Sequence, residues 1–284
     1  MQRPYAVSEH GALQVPLHVL QLENGRIPVP NRTTALFVEI GTNAFDTLDE
    51  TLLPKRPGAF LVAFEPLVDK WSLLLARNAR ARVVGKLGWH HPRGVILPLA
   101  VSDREGVVPF YVSPRDGCSS LRRTHRPERG GWRTNGFVRN ACAKTVQVRP
   151  VPAVTLRTVL DEWLAGWQVA RLKIDAQGAD LALLAAAGAP LLRRVDEVSL
   201  EVLHDSCDGL YEGQPNCTTV LHAMHALGFG PAERGMRRFH CAERRAFTQG
   251  SGCEANVLFR NVGAGAGDGA KARRAMRGAA ATVR

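Results

Sequence analysis

The 284-residue sequence has no long hydrophobic run, and this absence excludes a helical membrane anchor within it. No apolar stretch approaches the roughly 20 residues that a membrane-spanning helix needs. Residues 1–10 also lack the charged and then apolar leader of a secretory signal. We therefore expect a soluble, cytoplasmic protein that does not contact a membrane.

Paired cysteine motifs are missing as well. The chain contains no C-x-x-C pair, and the spacing of its cysteines and histidines fits no standard zinc pattern. All six cysteines follow the first third of the chain, which leaves a set of disulfides as the alternative to unpaired thiols. We expect free or core cysteines and no metal site. The cysteines are Cys118, Cys142, Cys207, Cys217, Cys241 and Cys253.

Acidic residues are scarce in two segments, and this imbalance accounts for the formal net charge of +11. Residues 122–149 contain eight Lys or Arg and one acid, and residues 262–284 contain five and one. The net charges of these two segments, +7 and +4, add up to the whole formal charge of +11. The remaining chain is balanced, so its composition disfavours a nucleic-acid-binding domain and favours two solvated, flexible basic segments.

Short β-branched or apolar runs alternate with segments of helical period along the chain. This alternation predicts an α/β protein with a mainly parallel sheet and helices on both faces. Strands of that sheet are expected at residues 36–40, 60–64, 95–101, 169–174 and 195–202, with an added strand at 107–112 and a closing strand at 254–260. Helices are expected after Pro66, after Thr155, over 178–187 and before Gly228. We expect one domain over residues 32–261, an N-terminal segment over 1–31, a loop over 117–143 and a disordered tail over 262–284.

The first predicted strand ends in Glu39 and runs into Gly41, which allows close approach of backbone to a ligand. Ligands of open α/β sheets bind beyond the carboxyl ends of the strands. The G-x-G-x-x-G turn that wraps a pyrophosphate is absent, because Asn43 and Asp46 occupy its other glycine positions. The pattern therefore favours a cofactor without phosphate over a dinucleotide.

S-adenosylmethionine has the required chemistry, because it combines a ribose diol with an amino-acid end and carries no phosphate. Glu65 ends the second predicted strand, and its two carboxylate oxygens can accept both ribose hydroxyl protons. An ordinary surface acid at a strand end is the alternative interpretation of Glu65.

Six short motifs in fixed order resemble the FkbM-type methyltransferases. They are VEIGTN at 38–43, AFEP at 63–66, LAVSD at 99–103, GCSSL at 117–121, LKIDAQGAD at 172–180 and SLEV at 199–202. The resemblance implies a Rossmann-like methyltransferase fold, S-adenosylmethionine as donor, and transfer to an oxygen of a sugar or other small metabolite. Two departures from the family pattern stand out: Ala44-Phe45 where relatives have a second glycine, and Gln177 where relatives have an acid.

Residue by residue, the resemblance implies a set of cofactor contacts and places Asp175 beside the transferring methyl. The implied cofactor-binding residues are Glu39, Gly41, Asn43, Glu65, Ser102 and Asp103. Glu201 and His204 also lie at strand ends and are candidate catalytic groups, and histidine is the side chain that ordinarily titrates nearest to neutral pH. An Asp175, Glu201 and Asp205 set that holds a divalent cation is a disfavoured alternative.

The expected partner is a small-molecule methyl acceptor such as a glycan or an acidic metabolite. Two other functions remain open at this point. One is a catalytically inactive relative that binds the cofactor but has lost productive geometry near Phe45. The other is a nucleic-acid methyltransferase that uses the two basic segments on phosphates. The sequence does not indicate an oligomeric state.

Overall fold

The computed structural model describes residues 6–7, 13–14, 22–43, 48–80, 93–125, 141–232, 239–248 and 252–263. Most of the predicted N-terminal segment, nearly all of the predicted tail and the middle of the predicted 117–143 loop lie outside these residues. Within the described ranges, no helix is both long enough and apolar enough to cross a bilayer.

The described residues form a mixed α/β fold. The strands are β1 (Ala6–Val7), β2 (Leu13–Gln14), β3 (Ala35–Ile40), β4 (Ala59–Phe64), β5 (Gly94–Leu97), β6 (Ala100–Ser102), β7 (Gly106–Val112), β8 (Gln147–Thr155), β9 (Val169–Ile174), β10 (Glu197–Leu203), β11 (Phe229–Pro231) and β12 (Glu254–Asn261). The α-helices are α1 (Leu48–Thr51), α2 (Val68–Arg80), α3 (Leu156–Thr158), α4 (Asp180–Ala187), α5 (Ala189–Leu192) and α6 (Cys217–Ala226). Thr155 caps α3 as predicted, because its hydroxyl accepts from the Thr158 N–H, and α3 continues as a π-helical turn, Val159–Trp163.

Seven strands form the large sheet in the spatial order β5-β4-β3-β9-β10-β12-β11. The five strands from β5 to β10 in that order are parallel, and β12 runs antiparallel to both of its neighbours. From β3 the chain first moves outward to β4 and β5 and later adds β9 and β10 on the other side. The strand order therefore reverses between β3 and β9, where open α/β sheets bind their ligands.

Helices cover both faces of this sheet, as the sequence predicts. Side chains alternate along β3, so Leu36, Val38 and Ile40 pack with α3, α4, α5 and α6 on one face. Phe37 points to the opposite face and packs with α1 and α2. Strands that are buried on both faces are near-continuous apolar runs, which is why the sequence pattern identifies β3, β4 and β9 within one residue at either end.

The prediction of a single third strand over residues 95–101 is wrong. The segment is divided into β5 in the large sheet and β6 in a separate three-stranded sheet of order β6-β8-β7. Pro98 lies at the division, and proline has no N–H to continue a ladder. The central strand β8 was not predicted, because Pro150 and Pro152 lie within it and prolines normally argue against a central strand.

The expectation of free or core cysteines is also wrong, because all six are paired in disulfides. The pairs are Cys118–Cys142, Cys207–Cys253 and Cys217–Cys241. The second pair shows why spacing along the chain is a poor guide. Cys207 closely follows β10 and Cys253 directly precedes β12, and the antiparallel pairing of these strands brings the two ends together.

Candidate functional site

The turn after β3 packs directly against the turn after β9. Gly41 has a φ of +76°, and its N–H donates to the Phe64 carbonyl oxygen at 3.1 Å. The Asp175 N–H donates to the Ile40 carbonyl oxygen at 2.9 Å. A Cβ on residue 41 would lie 2.0 Å from the Asp175 carbonyl oxygen. Glycine is therefore required at this position both for its conformation and for the space it leaves.

A cleft opens at these strand ends, at the point where the strand order reverses. The turns after β3, β4 and β9 form one side, and the start of β6 and residues 116–121 form the other. Its polar residues include Glu65, Lys70, Asp116 and Asp175. Its apolar wall includes Phe64, Leu99, Phe110 and Leu121. This mixture of an apolar wall and a few convergent polar groups is typical of a small-molecule site.

Glu65 lies in this cleft at the end of β4 and is only 4% exposed. One carboxylate oxygen accepts from the Leu67 N–H at 3.0 Å, and the other accepts from the Asn43 N–H at 3.0 Å. Burial raises the pKa of Glu65, while these N–H groups and the nearby Lys70 oppose the rise. The carboxyl group is therefore fixed in position at the lip of the cleft.

Lys70 is a buried cation of the cleft that the sequence reasoning missed. Its Nζ donates to the Asn43 side-chain oxygen and lies 3.1 Å from an Asp116 carboxylate oxygen. Asn43 itself has a φ of +47°, which asparagine tolerates better than most residues. Helical spacing could have identified Lys70. It lies three residues after the buried Leu67, which directly precedes α2, and residues three apart lie on the same side of a helix.

Asp175 lines the cleft and is held by a neighbouring amide. The Gln177 Nε2 donates to an Asp175 carboxylate oxygen at 2.7 Å. The Gln177 Oε1 lies 2.5 Å from the hydroxyl of Tyr211, a fully enclosed side chain. The Ser120 hydroxyl donates to the Gln177 carbonyl oxygen at 2.7 Å. Residues that are far apart in sequence therefore converge on the turn after β9.

Glu39 is completely buried and does not line the cleft. Its carboxylate accepts from the Lys173 Nζ at 3.0 Å and from the Leu48 N–H at 2.8 Å. Burial raises the pKa of Glu39 to about 7, although Lys173 and the Leu48 N–H oppose the rise. Glu39 thus connects β3 to β9 and to the start of α1.

Three carboxyls lie near Asp175, of which Asp180 and Glu254 are buried and Glu201 is half-buried. Burial and the negative charge of Asp175 raise the pKa of Asp180 to about 7. Burial, followed by the charges of Asp175 and Asp180, raises the pKa of Glu254 to about 8. Burial and the charge of Glu254 raise the pKa of Glu201 well above its usual value. Glu201 lines a small neighbouring cavity with Asp180 and does not line the cleft.

His204 lies beside the sheet and not in the cleft. It is 8% exposed, and its ring contacts Phe247 edge-on at a centroid distance of 4.6 Å. Its Nδ1 accepts from the Ser206 N–H at 3.0 Å. Asp205 accepts from the Thr218 N–H at 2.9 Å, at the start of α6. The set of Asp175, Glu201 and Asp205 is thus divided among the cleft, the small cavity and the start of a helix.

Ser102 and Asp103 line a second cavity next to the cleft, and Leu121 lines both. The Ser102 hydroxyl donates to an Asp103 carboxylate oxygen at 3.1 Å, and Asp103 is exposed. The structure therefore brings together Gly41, Asn43, Glu65 and Asp175 of the predicted site residues. It leaves Glu39, Glu201, His204, Ser102 and Asp103 around the cleft and outside its lining.

The protein is thus a mixed α/β protein with a large, mainly parallel sheet, and its cleft lies at the reversal of strand order, where open α/β sheets bind their ligands. Residues 39–230 match the family profile described as the methyltransferase FkbM domain. Because this match covers more than half of the chain, the protein belongs to the FkbM methyltransferase family, and its general function is that of a methyltransferase. A search of curated proteins gives no match to the chain.

Proposed function

We propose that the protein transfers a methyl group from S-adenosylmethionine to an oxygen of a sugar or another small metabolite. The observation that carries the proposal is the joint position of Gly41 and Glu65 at one cleft, at the reversal of strand order. That order supports a Rossmann-like fold, in which ligands bind at this point. The methyltransferase family supports the same reaction class.

The residues of the cleft suit the chemistry of this donor. Gly41 leaves backbone accessible where a side chain could not fit, and Glu65 offers a fixed carboxylate to a ribose diol. Leu99 and Phe110 offer an apolar surface for the adenine ring. We still expect Ser102 and Asp103 to lie near the adenine, which would extend past Leu121 toward their cavity. Bound in this cleft, S-adenosylmethionine would supply an activated methyl group on its sulfonium.

The positive charge of Lys70 would oppose a sulfonium if it were uncompensated. Asp116 lies 3.1 Å from its Nζ, and Glu65 is close enough for Lys70 to lower its pKa. The acids of the cleft therefore offset this one cation. Its remaining donor capacity suits the carboxylate of the donor's amino-acid end.

We assign Asp175 to the acceptor side of the reaction. It lines the cleft, and a carboxylate can accept the proton that an acceptor hydroxyl loses. Because methyl transfer is an in-line displacement, correct placement of the acceptor supplies much of the rate. Glu201 would act only indirectly, through the carboxyls near Asp175. A direct role for His204 would require its side chain to leave its contact with Phe247.

The three disulfides bear on where this reaction takes place. Disulfides are rare in the reducing cytosol and typical of oxidising compartments. They therefore argue against the cytoplasmic location expected from the sequence and favour an oxidising compartment. A glycan is a suitable acceptor there, which is why we prefer a sugar hydroxyl to an intracellular metabolite.

Two measurements test the proposal in sequence. Calorimetry with S-adenosylmethionine and with S-adenosylhomocysteine should give saturable binding of one molecule per chain. Incubation with donor labelled in its methyl group and with glycan or metabolite extracts should then give a labelled small-molecule product. A chain that binds neither compound would overturn the proposal. Label found only in added nucleic acid would favour the nucleic-acid methyltransferase instead.

A further inference from the structure

Three side chains form a chain of hydrogen bonds that ends in the cleft. The Tyr211 hydroxyl lies 2.5 Å from the Gln177 Oε1, and the Gln177 Nε2 lies 2.7 Å from an oxygen of Asp175. Tyr211 is 2% exposed and Asp175 lines the cleft, so the chain leads from the interior of the protein to its ligand site.

The direction of donation in this chain is fixed by the chemistry of its members. An ionised carboxylate only accepts hydrogen bonds, so the amide must present its NH₂ group to Asp175. The amide oxygen then faces Tyr211 and can only accept, so the phenol donates to it at 2.5 Å, with the Cys118 carbonyl oxygen as a second, more distant acceptor at 3.1 Å. A glutamate in place of Gln177 could accept from Tyr211, but when ionised it could not donate to Asp175.

The backbone of the turn is held in place by separate contacts. Gln177 has a φ of +52° and Gly178 a φ of +87°, so two successive residues adopt the left-handed region. The Ser120 hydroxyl holds the Gln177 carbonyl oxygen at 2.7 Å. A Cβ on Gly178 would lie 2.8 Å from the Tyr211 ring, so the ring packs directly on this peptide. An unfavourable conformation that several contacts maintain is common at functional sites.

Charge makes an amide suitable at position 177. Asp175 lies near Asp180, Glu201 and Glu254, because its negative charge helps to raise the pKa of each of these groups. An acid at position 177, as relatives have there, could keep this 2.7 Å contact with Asp175 only if the two carboxyl groups shared a proton. A neutral amide orients the carboxylate without adding charge.

We propose that Gln177 and Tyr211 are positioning residues that hold Asp175 toward the methyl acceptor, an inference that rests on the proposed methyl transfer. In that reaction the acceptor oxygen bonds to the methyl carbon, and the carbon–sulfur bond breaks with its electron pair left on sulfur. The hydroxyl proton passes to the Asp175 carboxylate, whose orientation toward the acceptor is set by the Gln177 amide.

Three variants of the full chain test this arrangement: Tyr211→Phe, Gln177→Glu and the double variant Asp175→Asn/Gln177→Glu. Tyr211→Phe keeps the ring on Gly178 and removes only the hydroxyl. Gln177→Glu removes the donor to Asp175 and adds a charge. The double variant restores the hydrogen bond in the opposite direction, since the amide introduced at position 175 can donate to the carboxylate introduced at position 177. Each variant is measured for its melting temperature without ligand, its affinity for S-adenosylhomocysteine, and its labelled methyl transfer to a glycan extract.

The maximal transfer rate should fall about tenfold in both Tyr211→Phe and Gln177→Glu, since each variant removes one hydrogen bond of the chain. Affinity for S-adenosylhomocysteine should stay within about twofold in both, because neither side chain is assigned to the donor. Gln177→Glu should lower the melting temperature by a few degrees. The double variant should recover that temperature without recovering the transfer rate, because the amide at position 175 cannot take the acceptor's proton. The readout that a purely structural role does not produce is the loss of rate in Tyr211→Phe at unchanged affinity for S-adenosylhomocysteine.

Two results would overturn the inference. One is a Tyr211→Phe rate within twofold of the wild type, and the other is a double variant that melts no higher than Gln177→Glu. Failure of the proposed function looks different, because the wild type itself would then bind no S-adenosylhomocysteine and transfer no label. The melting temperatures would still decide whether the hydrogen-bonded chain exists.

Discussion

The carbonyl oxygen of Asp175 lies only 2.0 Å from the ideal position of a β-carbon on Gly41. The two residues follow β3 and β9, the neighbouring strands between which the strand order reverses. Their contact therefore joins the turn predicted to approach the donor with the turn assigned to the acceptor. A substitution at Gly41 should therefore affect both the donor side and the acceptor side of the cleft.

Gly41→Ala should destabilise the protein and abolish donor binding. The new methyl group would both clash with Asp175 and occupy the left-handed region. Gly25→Ala is a matched control, because Gly25 has a φ of +75° and no atom within 4 Å of its ideal Cβ. The control should cost about 1 kcal/mol of unfolding free energy and Gly41→Ala about 3 kcal/mol or more, measured by urea unfolding. Equal losses would show that backbone conformation alone requires this glycine.

The sequence predicts the parallel sheet well because its strands are buried on both faces and carry little but apolar residues. It fails where pairing depends on distant residues. Pro150 and Pro152 argue against β8 locally, yet β8 forms between β6 and β7. β5 ends before Pro98, and the residues that follow join that other sheet. Neither partner strand can be deduced from the local pattern.

Glu65→Ala should weaken binding of S-adenosylhomocysteine by about 2 to 3 kcal/mol, because it removes a charge-assisted acceptor for two hydroxyl protons. Calorimetry resolves this change. Glu162→Ala is the control, since Glu162 is an exposed acid that lines neither the cleft nor the second cavity. Its affinity should change by less than about 0.5 kcal/mol. A larger effect of Asp103→Ala than of Glu65→Ala would move the ligand from the cleft to the second cavity.

Glu254 should make the protein less stable as the pH rises. Burial and the charges of Asp175 and Asp180 raise its pKa from 4.5 to about 8. Between these two values the folded state binds more protons than the unfolded state, so the unfolding free energy falls with rising pH and levels off above about pH 8. Glu254→Gln removes this group, and the slope should become shallower by up to about 1.4 kcal/mol per pH unit.

Urea unfolding at several pH values between about 5 and 9 measures that slope. Asp103→Asn, which removes an exposed carboxyl instead of a buried one, is measured in parallel for comparison. A Glu254→Gln slope equal to that of the wild type would mean that Glu254 ionises in the folded protein as it does in the unfolded chain.

Two of the disulfides span the same sequence separation, 24 residues, and differ in their distance from the cleft. Cys118 lies between the cleft residues Gly117 and Ser119, whereas Cys217 begins α6. Replacing either pair by serine should cost roughly 3 kcal/mol of unfolding free energy, because loops of equal length are released. Only loss of Cys118–Cys142 should also weaken S-adenosylhomocysteine binding. Equal affinities in the two double variants would contradict this expectation.

The candidate site was predicted only in part, because a sequence indicates which residues end strands but not which way their side chains point. Glu39 ends β3 and was expected at the donor, but its neighbours on the sheet are Ala63 and Lys173, and it pairs with Lys173. Lys70 lies in a helix and Tyr211 in a loop, so a search for residues at strand ends does not find them. Tyr211 contacts Gln177 across 34 positions, a separation without local signal.

The roles of Asp175 and His204 in the reaction can be distinguished by experiment. Asp175→Asn should reduce the methyl-transfer rate about a hundredfold or more while S-adenosylhomocysteine affinity changes little, because an amide of the same shape can no longer take the acceptor's proton. His204→Ala should instead lower the melting temperature, since it removes a ring packed on Phe247. Its transfer rate should stay within a few-fold of the wild type, with the same dependence on pH around neutrality.

The opposite pattern identifies His204 as the general base. A rate loss of about a hundredfold in His204→Ala, together with a flattened rise of rate near neutral pH, would require the imidazole to reach the acceptor during the reaction. The ring would then have to leave Phe247, because in the described structure it lies outside the cleft lining. His204→Gln should separate the two roles, since it fills part of the same space but cannot take a proton near neutral pH. If His204→Gln melts closer to the wild type than His204→Ala does, and its transfer rate is unchanged, then Asp175 is the group that receives the proton.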